Sequence, residues 1–148
     1  MSAKTRIDSP TSPRQRPSQA LNVGLWLAQG LLFITFTGAA FWKLLTPIPE
    51  LAAQIPWAGQ VPPGFLHATA VFDLCGGLGI FLPALTRVAP RLTVFAALGC
   101  AALQGCAIVF HLARGEGANT PFNFFLVALA GFVFWGRAFE ARIAPRGR

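Results

Sequence analysis

The chain has 148 residues, with 12 Lys and Arg against 5 Asp and Glu, a formal net charge of +7, 54% apolar residues and 11% charged residues. Soluble domains carry about 25% charged residues, so this chain cannot cover a water-facing surface, and its hydrophobicity excludes intrinsic disorder as the general state. An integral membrane protein remains.

Residues 1–20 are rich in Ser, Thr, Pro, Arg and Gln and read as a disordered basic tail. No Asp, Glu, Lys or Arg occurs from Pro17 to Trp42, which predicts a first transmembrane helix near 21–45, since a bilayer core needs about 20 apolar helical residues. Gly38-Ala39-Ala40 resembles a signal cleavage site. The apolar run is longer than a signal core, however, and continues through Phe41-Trp42 into Lys43-Leu44-Leu45, so it reads as a span. From Thr46 to Pro63 five prolines prevent a long helix. Within that stretch, Pro49 to Ile55 reads as a short helical turn, and Ile55 and Trp57 suit a membrane interface. A proline-rich external cap over the helix ends is expected, with a mobile loop as the alternative.

Gly64 to Leu85 is apolar apart from Asp73, and Leu92 to Ala113 and Gly117 to Gly136 carry no charge. Three further spans are predicted near 65–85, 91–113 and 121–139, followed by a basic tail at 140–148. Continuous apolarity favours helices over barrel strands, which alternate apolar with polar residues. The fold class is therefore all-α, an integral membrane four-helix bundle over 21–139. Four crossings place Lys4, Arg6, Arg14, Arg16, Arg87, Arg91, Arg137, Arg142, Arg146 and Arg148 on one side and only Lys43 and Arg114 on the other. The positive-inside rule then puts both termini in the cytoplasm. The same rule accounts for the basic excess through the lipid bilayer, without nucleic acid as a partner. The Ala, Gly, Pro and Arg bias suggests the cytoplasmic membrane of a bacterium.

Asp73 lies near the middle of the second span. A charge at that depth costs at least about 2.5–3.5 kcal/mol, so it is expected to face the bundle interior with a partner. It is a functional candidate, with helix-tying by hydrogen bonding as the plainer reading. His67 lies about 9 Å further out along the helix. Lys43 closes the first span, too far out to pair directly with Asp73 unless its stem reaches down; the alternative is that it snorkels to the headgroups. His111 and Gln104 share a face of the third span. Thr35, Thr37, Asn119 and Asn123 also lie in the outer half, with Gln29 as the main exception, which predicts an outward-opening pocket. Haem ligation by His67 and His111 lacks any further ligand signature. Cys75, Cys100 and Cys106 form no Cys-x-x-Cys pair and read as small apolar residues. Gly76, Gly77, Gly79, Gly99 and Gly105 read as helix-packing positions.

The order of short motifs carries a resemblance. Gly38 to Leu44 ends the first span with Gly and Lys, and Asp73-Leu74-Cys75-Gly76-Gly77-Leu78-Gly79 follows an acidic residue with glycines. Leu85-Thr86-Arg87 makes a turn, His111, Arg114, Gly115 and Glu116 close the third span, and Asn123 precedes the fourth. Over about residues 21 to 138 this resembles the DoxX or DoxX-like family of small four-helix membrane proteins, with Asp73 where Glu is common. The family is named after a subunit associated with thiosulfate:quinone oxidoreductase, and other members are linked to oxidative-stress complexes. The resemblance implies a redox-associated accessory subunit that binds a quinone or other lipid-like ligand, or docks a redox protein partner. Asp73 would be the central acid, with His67, Gln104, His111 and Lys43 as supporting groups. A proton-coupled small-molecule transporter and a ligand-free assembly factor or chaperone are the rival readings. Whether the chain catalyses a reaction stays open, as does a homo-oligomeric state.

Overall fold

The computed structural model describes residues 17–147, which are helical without strands. Residues 1–16 of the expected basic tail lie outside the described residues. Five α-helices follow in chain order: α1 (Gln19–Leu45), α2 (Ile48–Gln54), α3 (Pro63–Thr86), α4 (Arg91–Ala113) and α5 (Thr120–Trp135). Short 3-10 turns occupy Pro56–Gly59 and Gly117–Asn119, and a π-helical turn at Gly136–Glu140 extends α5. The stretches Gln19–Leu45, Pro63–Thr86, Arg91–Ala113 and Gly117–Glu140 are each long and apolar enough to cross a membrane. These are the four expected spans.

Local chemistry sets the helix starts. Ser18 caps α1, its Oγ accepting from the Leu21 N–H at 3.2 Å. Pro62 and Pro63 open α3 two residues before the expected start, because proline is pre-set for the first helical position. Pro90 precedes α4, and Pro121 lies in the first turn of α5. Between α3 and α4 the chain reverses in four residues by placing Arg87 and Ala89 in left-handed backbone, at φ 59° and 48°.

The four long helices close into a ring in which α1 packs on α3 and α5, and α4 packs on α3 and α5. Short connections join α3 to α4 and α4 to α5, as in other four-helix bundles, whereas α2 and the turn after it lie between α1 and α3. Where α1 meets α3, a Cβ on Gly77 would lie 3.1 Å from the Thr37 amide nitrogen and 3.3 Å from the Phe33 carbonyl oxygen. Only a bare backbone permits that approach. Gly76 and Gly79 face α4 in the same way, against Cys100 Sγ and Ala96 Cβ. Gly99 and Gly105 have nothing within 4 Å of the Cβ position, so the packing role does not extend to them.

The apolar core occupies the half of the bundle nearer the described termini. Leu32 and Phe36 from α1 meet Ile80, Cys100, Leu126 and Val133 there. Apolar side chains such as Leu27, Ile34, Val71, Leu98 and Val109 point outward, the arrangement expected of helices solvated by lipid. At the other end, Leu51, Ala58 and Leu66 form a second small cluster with Ile48, Ile55, Trp57 and Val61. That cluster seats α2 and the following turn on the start of α3. Between the two clusters the bundle is not filled.

Arg137 departs from the sequence reading. Counted there among the charges of the cytoplasmic side, it is buried in the bundle at 4% exposure. The π turn carries it inward, where neutral oxygens on α1 accept its hydrogen bonds.

Candidate functional site

The unfilled region is a cavity of about 430 Å³ between the core and the α2 segment. Phe36, Phe65, Phe72, Leu103, Phe110 and Leu126 supply most of its wall. That volume is in the range of small-molecule sites, which are largely apolar with a few placed polar groups.

Asp73 sits in this wall because α3 turns residues 66, 70, 73 and 77 to the bundle interior. Lys43, on the last turn of α1, bends back along its stem and reaches it. Its Nζ donates to Asp73 Oδ2 at 2.6 Å, with the two side chains 14% and 6% exposed. The direct pairing that helix rise alone argued against is therefore made. Lys43 Nζ also lies 3.5 Å from Thr69 Oγ1, and Thr69 donates its own hydroxyl to the Leu66 carbonyl at 2.7 Å. The Trp57 ring centre is 5.8 Å from the ammonium, near enough for cation–π attraction. Neither partner is left as a lone charge in an apolar wall, which would be costly.

On the opposite wall, Asn123 Nδ2 donates to Gln104 Oε1 at 2.7 Å, joining α5 to α4. The bond leaves the Gln104 amide N–H groups and the Asn123 carbonyl for another partner. Thr35 also lines the cavity.

His111 lies at the mouth, its Nδ1 2.8 Å from Glu116 Oε2. Arg114 Nε donates to Glu116 Oε1 at 2.9 Å, and its Nη2 donates to Gln60 in the chain after α2. The hydrogen bond from His111, aided by Arg114, holds the Glu116 carboxyl below the usual carboxylate range. The group ties the end of α4 to the α2 segment beside the cavity. With Nδ1 committed to the carboxylate, Nε2 is the ring nitrogen left for a ligand.

Of the five residues singled out in the sequence, Lys43, Asp73, Gln104 and His111 line this cavity. His67 lies on the exposed side of α3 and does not line it, so the two histidines do not face each other across the bundle. Among the described residues no group of three or more His, Cys, Asp or Glu is placed to hold a metal ion. Thr69 and Trp57 belong to the site and were not singled out for it. Thr69 was open to discovery, lying four residues before Asp73 and so on its helix face. Trp57 was not, since its place depends on how the α2 segment folds.

A family model described as the DoxX-like family matches residues 27–133. That match contains α1 from Leu27 onward, the cavity residues and α5 to Val133. No curated protein and no solved structure matches the chain.

Proposed function

The chain belongs to the DoxX-like family of membrane proteins, and from that premise we propose that it is an accessory subunit whose cavity holds a lipid-like molecule with a polar head, an isoprenoid quinone being the type. The observation that carries this reading is the cavity itself, apolar over most of its wall and polar at a few facing points. The Lys43 ammonium has three N–H groups, and its carboxylate partner occupies one. A carbonyl or hydroxyl head would accept from Lys43 or the Gln104 amide, while the phenylalanine walls take the rings and isoprenoid units. The proposed orientation places both termini in the cytoplasm of a bacterium and the α2 segment outside, from the arginine distribution. The cavity would then open to the outer half of the membrane. A redox protein docked on the external segment is the partner this reading implies.

Cys75 and Cys106 are both exposed, and of the two Cys106 lines the cavity, which provides a test. A short-chain quinone should protect Cys106, and not Cys75, from a small alkylating reagent in the detergent-solubilised protein. Equal alkylation of Cys106 with and without the quinone would refute the site. A second reading, proton-coupled transport, is favoured by one observation, the ion pair within the spanning segments. Flux of a small solute into liposomes driven by a pH gradient, abolished in Asp73→Asn, would favour it.

A further inference from the structure

The opposite end of the bundle holds a second cavity, of about 740 Å³, between the start of α4 and the chain that follows α5. Its charged lining residues are Arg91, Arg137 and Arg142, and its apolar ones include Val94, Phe95 and Ile143. Arg87 and Arg146 lie close by, the Arg146 N–H donating to the Arg87 carbonyl at 3.1 Å. The nearby carboxylate in sequence, Glu140, is exposed and does not line the cavity. No acidic residue lies in the first turn of α4, so the positive end of its dipole is uncompensated there.

Arg137 is the residue that requires explanation. Its guanidinium is buried, with Nε donating to Gln29 Oε1 at 2.8 Å, and Nη1 to Asn22 Oδ1 at 2.9 Å and the Ala141 carbonyl at 3.2 Å. The Trp26 ring centre lies 5.1 Å away. Every one of these partners is neutral, and Nη2 is buried without any partner among the described residues. No carboxylate among the described residues forms an ion pair with it. Neutral oxygens and an aromatic face lower the cost of burying a cation but leave its charge unbalanced.

We propose that this cavity binds a phosphate-bearing anion, with the headgroup of an anionic phospholipid as the form that also uses the apolar wall. Arg91 and Arg142 would contact the phosphate oxygens directly, by the charge-assisted bonding that arginine gives to phosphate. Arg137 lies beneath them and supplies the buried charge that the anion balances. Basic pockets between membrane helices are suited to anionic headgroups on general electrostatic grounds. The site is separate from the quinone-type cavity, and its test is independent of that reading.

The full chain, delipidated in a mild maltoside detergent, would be examined by native mass spectrometry with added phosphatidylglycerol or phosphatidylcholine. We expect one phosphatidylglycerol to be retained and phosphatidylcholine not to be. In Arg91→Gln/Arg142→Gln, which alters two exposed side chains and leaves Arg137 in place, retention should fall at least about tenfold, the loss of one to two charged hydrogen bonds. The charge-matched control Arg6→Gln/Arg14→Gln should retain the lipid as the parent does. Displacement of the lipid by millimolar inorganic phosphate would assign the shared phosphate chemistry to the site. Thermal stabilisation by phosphate alone, lost in Arg91→Gln/Arg142→Gln and without lipid retention, would identify a soluble phosphate as the ligand. Equal retention of both lipids, or of phosphatidylglycerol by the parent and the Arg91→Gln/Arg142→Gln variant, would overturn the proposal.

Discussion

Replacing Lys43 by Met leaves the Asp73 carboxylate, 6% exposed, with no cation beside it. At the observed 2.6 Å and an effective dielectric of about 20, a unit-charge pair attracts by about 6 kcal/mol. The desolvation of both ions offsets much of that, so the pair adds little net stability over an apolar filling. Removing one partner is different, because the other keeps its desolvation penalty without the attraction. Lys43→Met is therefore expected to destabilise the fold by about 3–5 kcal/mol. Lys43→Met/Asp73→Leu removes both charges and fills the space with apolar atoms, and should return to within about 1 kcal/mol of the parent or exceed it. The second substitution would then restore about 2–4 kcal/mol of what the first removes. Thermal unfolding in detergent, followed by circular dichroism, reads the difference at about 2–4 °C per kcal/mol for a chain of this size. The single variant should melt about 10 °C low and the double variant near the parent. A double variant as unstable as the single one would refute the reasoning, as would a single variant within about 0.5 kcal/mol of the parent.

Three further predictions rest on local contacts. Gly77→Ala should cost about 1–3 kcal/mol, because its Cβ meets the α1 backbone, whereas Gly38→Ala, with nothing within 4 Å, should be neutral or stabilising by up to about 1 kcal/mol. Equal melting temperatures for the two variants would contradict the close approach of α1 and α3. Gln29→Leu removes the acceptor of Arg137 Nε and the donor to the Ile80 carbonyl, and should lower stability by at least about 1.5–3 kcal/mol, the worth of the hydrogen bond to the charged group alone. An unchanged denaturation midpoint would show that Arg137 finds another acceptor. Because the folded state holds the Glu116 carboxyl below its ordinary 4.5, the tie it makes is fully present above that pH. The tie is lost as pH falls through the lowered value. Trp57 lies 6.5 Å from His111, so its fluorescence should change over that acid range in the parent and show no such step in Glu116→Gln. A step that persists in Glu116→Gln would assign it to another group.

The spans were legible because membrane burial leaves a one-dimensional signature. Runs free of charge in this chain coincide with helices that expose apolar side chains on their outer faces. The polar half of the bundle was legible for the same reason, since Asp73, Gln104 and His111 stand out against an apolar background. Facing was harder. His67 and Asp73 lie six residues apart, about one and two-thirds turns, which puts them on different sides of α3; the rise along the helix was counted without its rotation. The Lys43 pairing was obscured because the reach was judged from the Cα position, while a four-carbon stem spans the remaining gap. Arg137 was hidden by arginine counting, which treats all basic residues near a span end alike. The buried Gln29 was its only sequence trace, and linking the two requires knowing that α1 and α5 are neighbours.

Extraction of bound molecules from the parent and from Lys43→Met/Asp73→Leu, purified gently from native membranes and examined by mass spectrometry, tests the central claim most directly. The double variant is expected to stay folded while losing the polar anchor, so folding and binding are read apart. We predict a stoichiometric quinone or isoprenoid with the parent and its loss from the double variant. An empty parent, or the same molecule retained equally by both proteins, would contradict the assignment of the cavity.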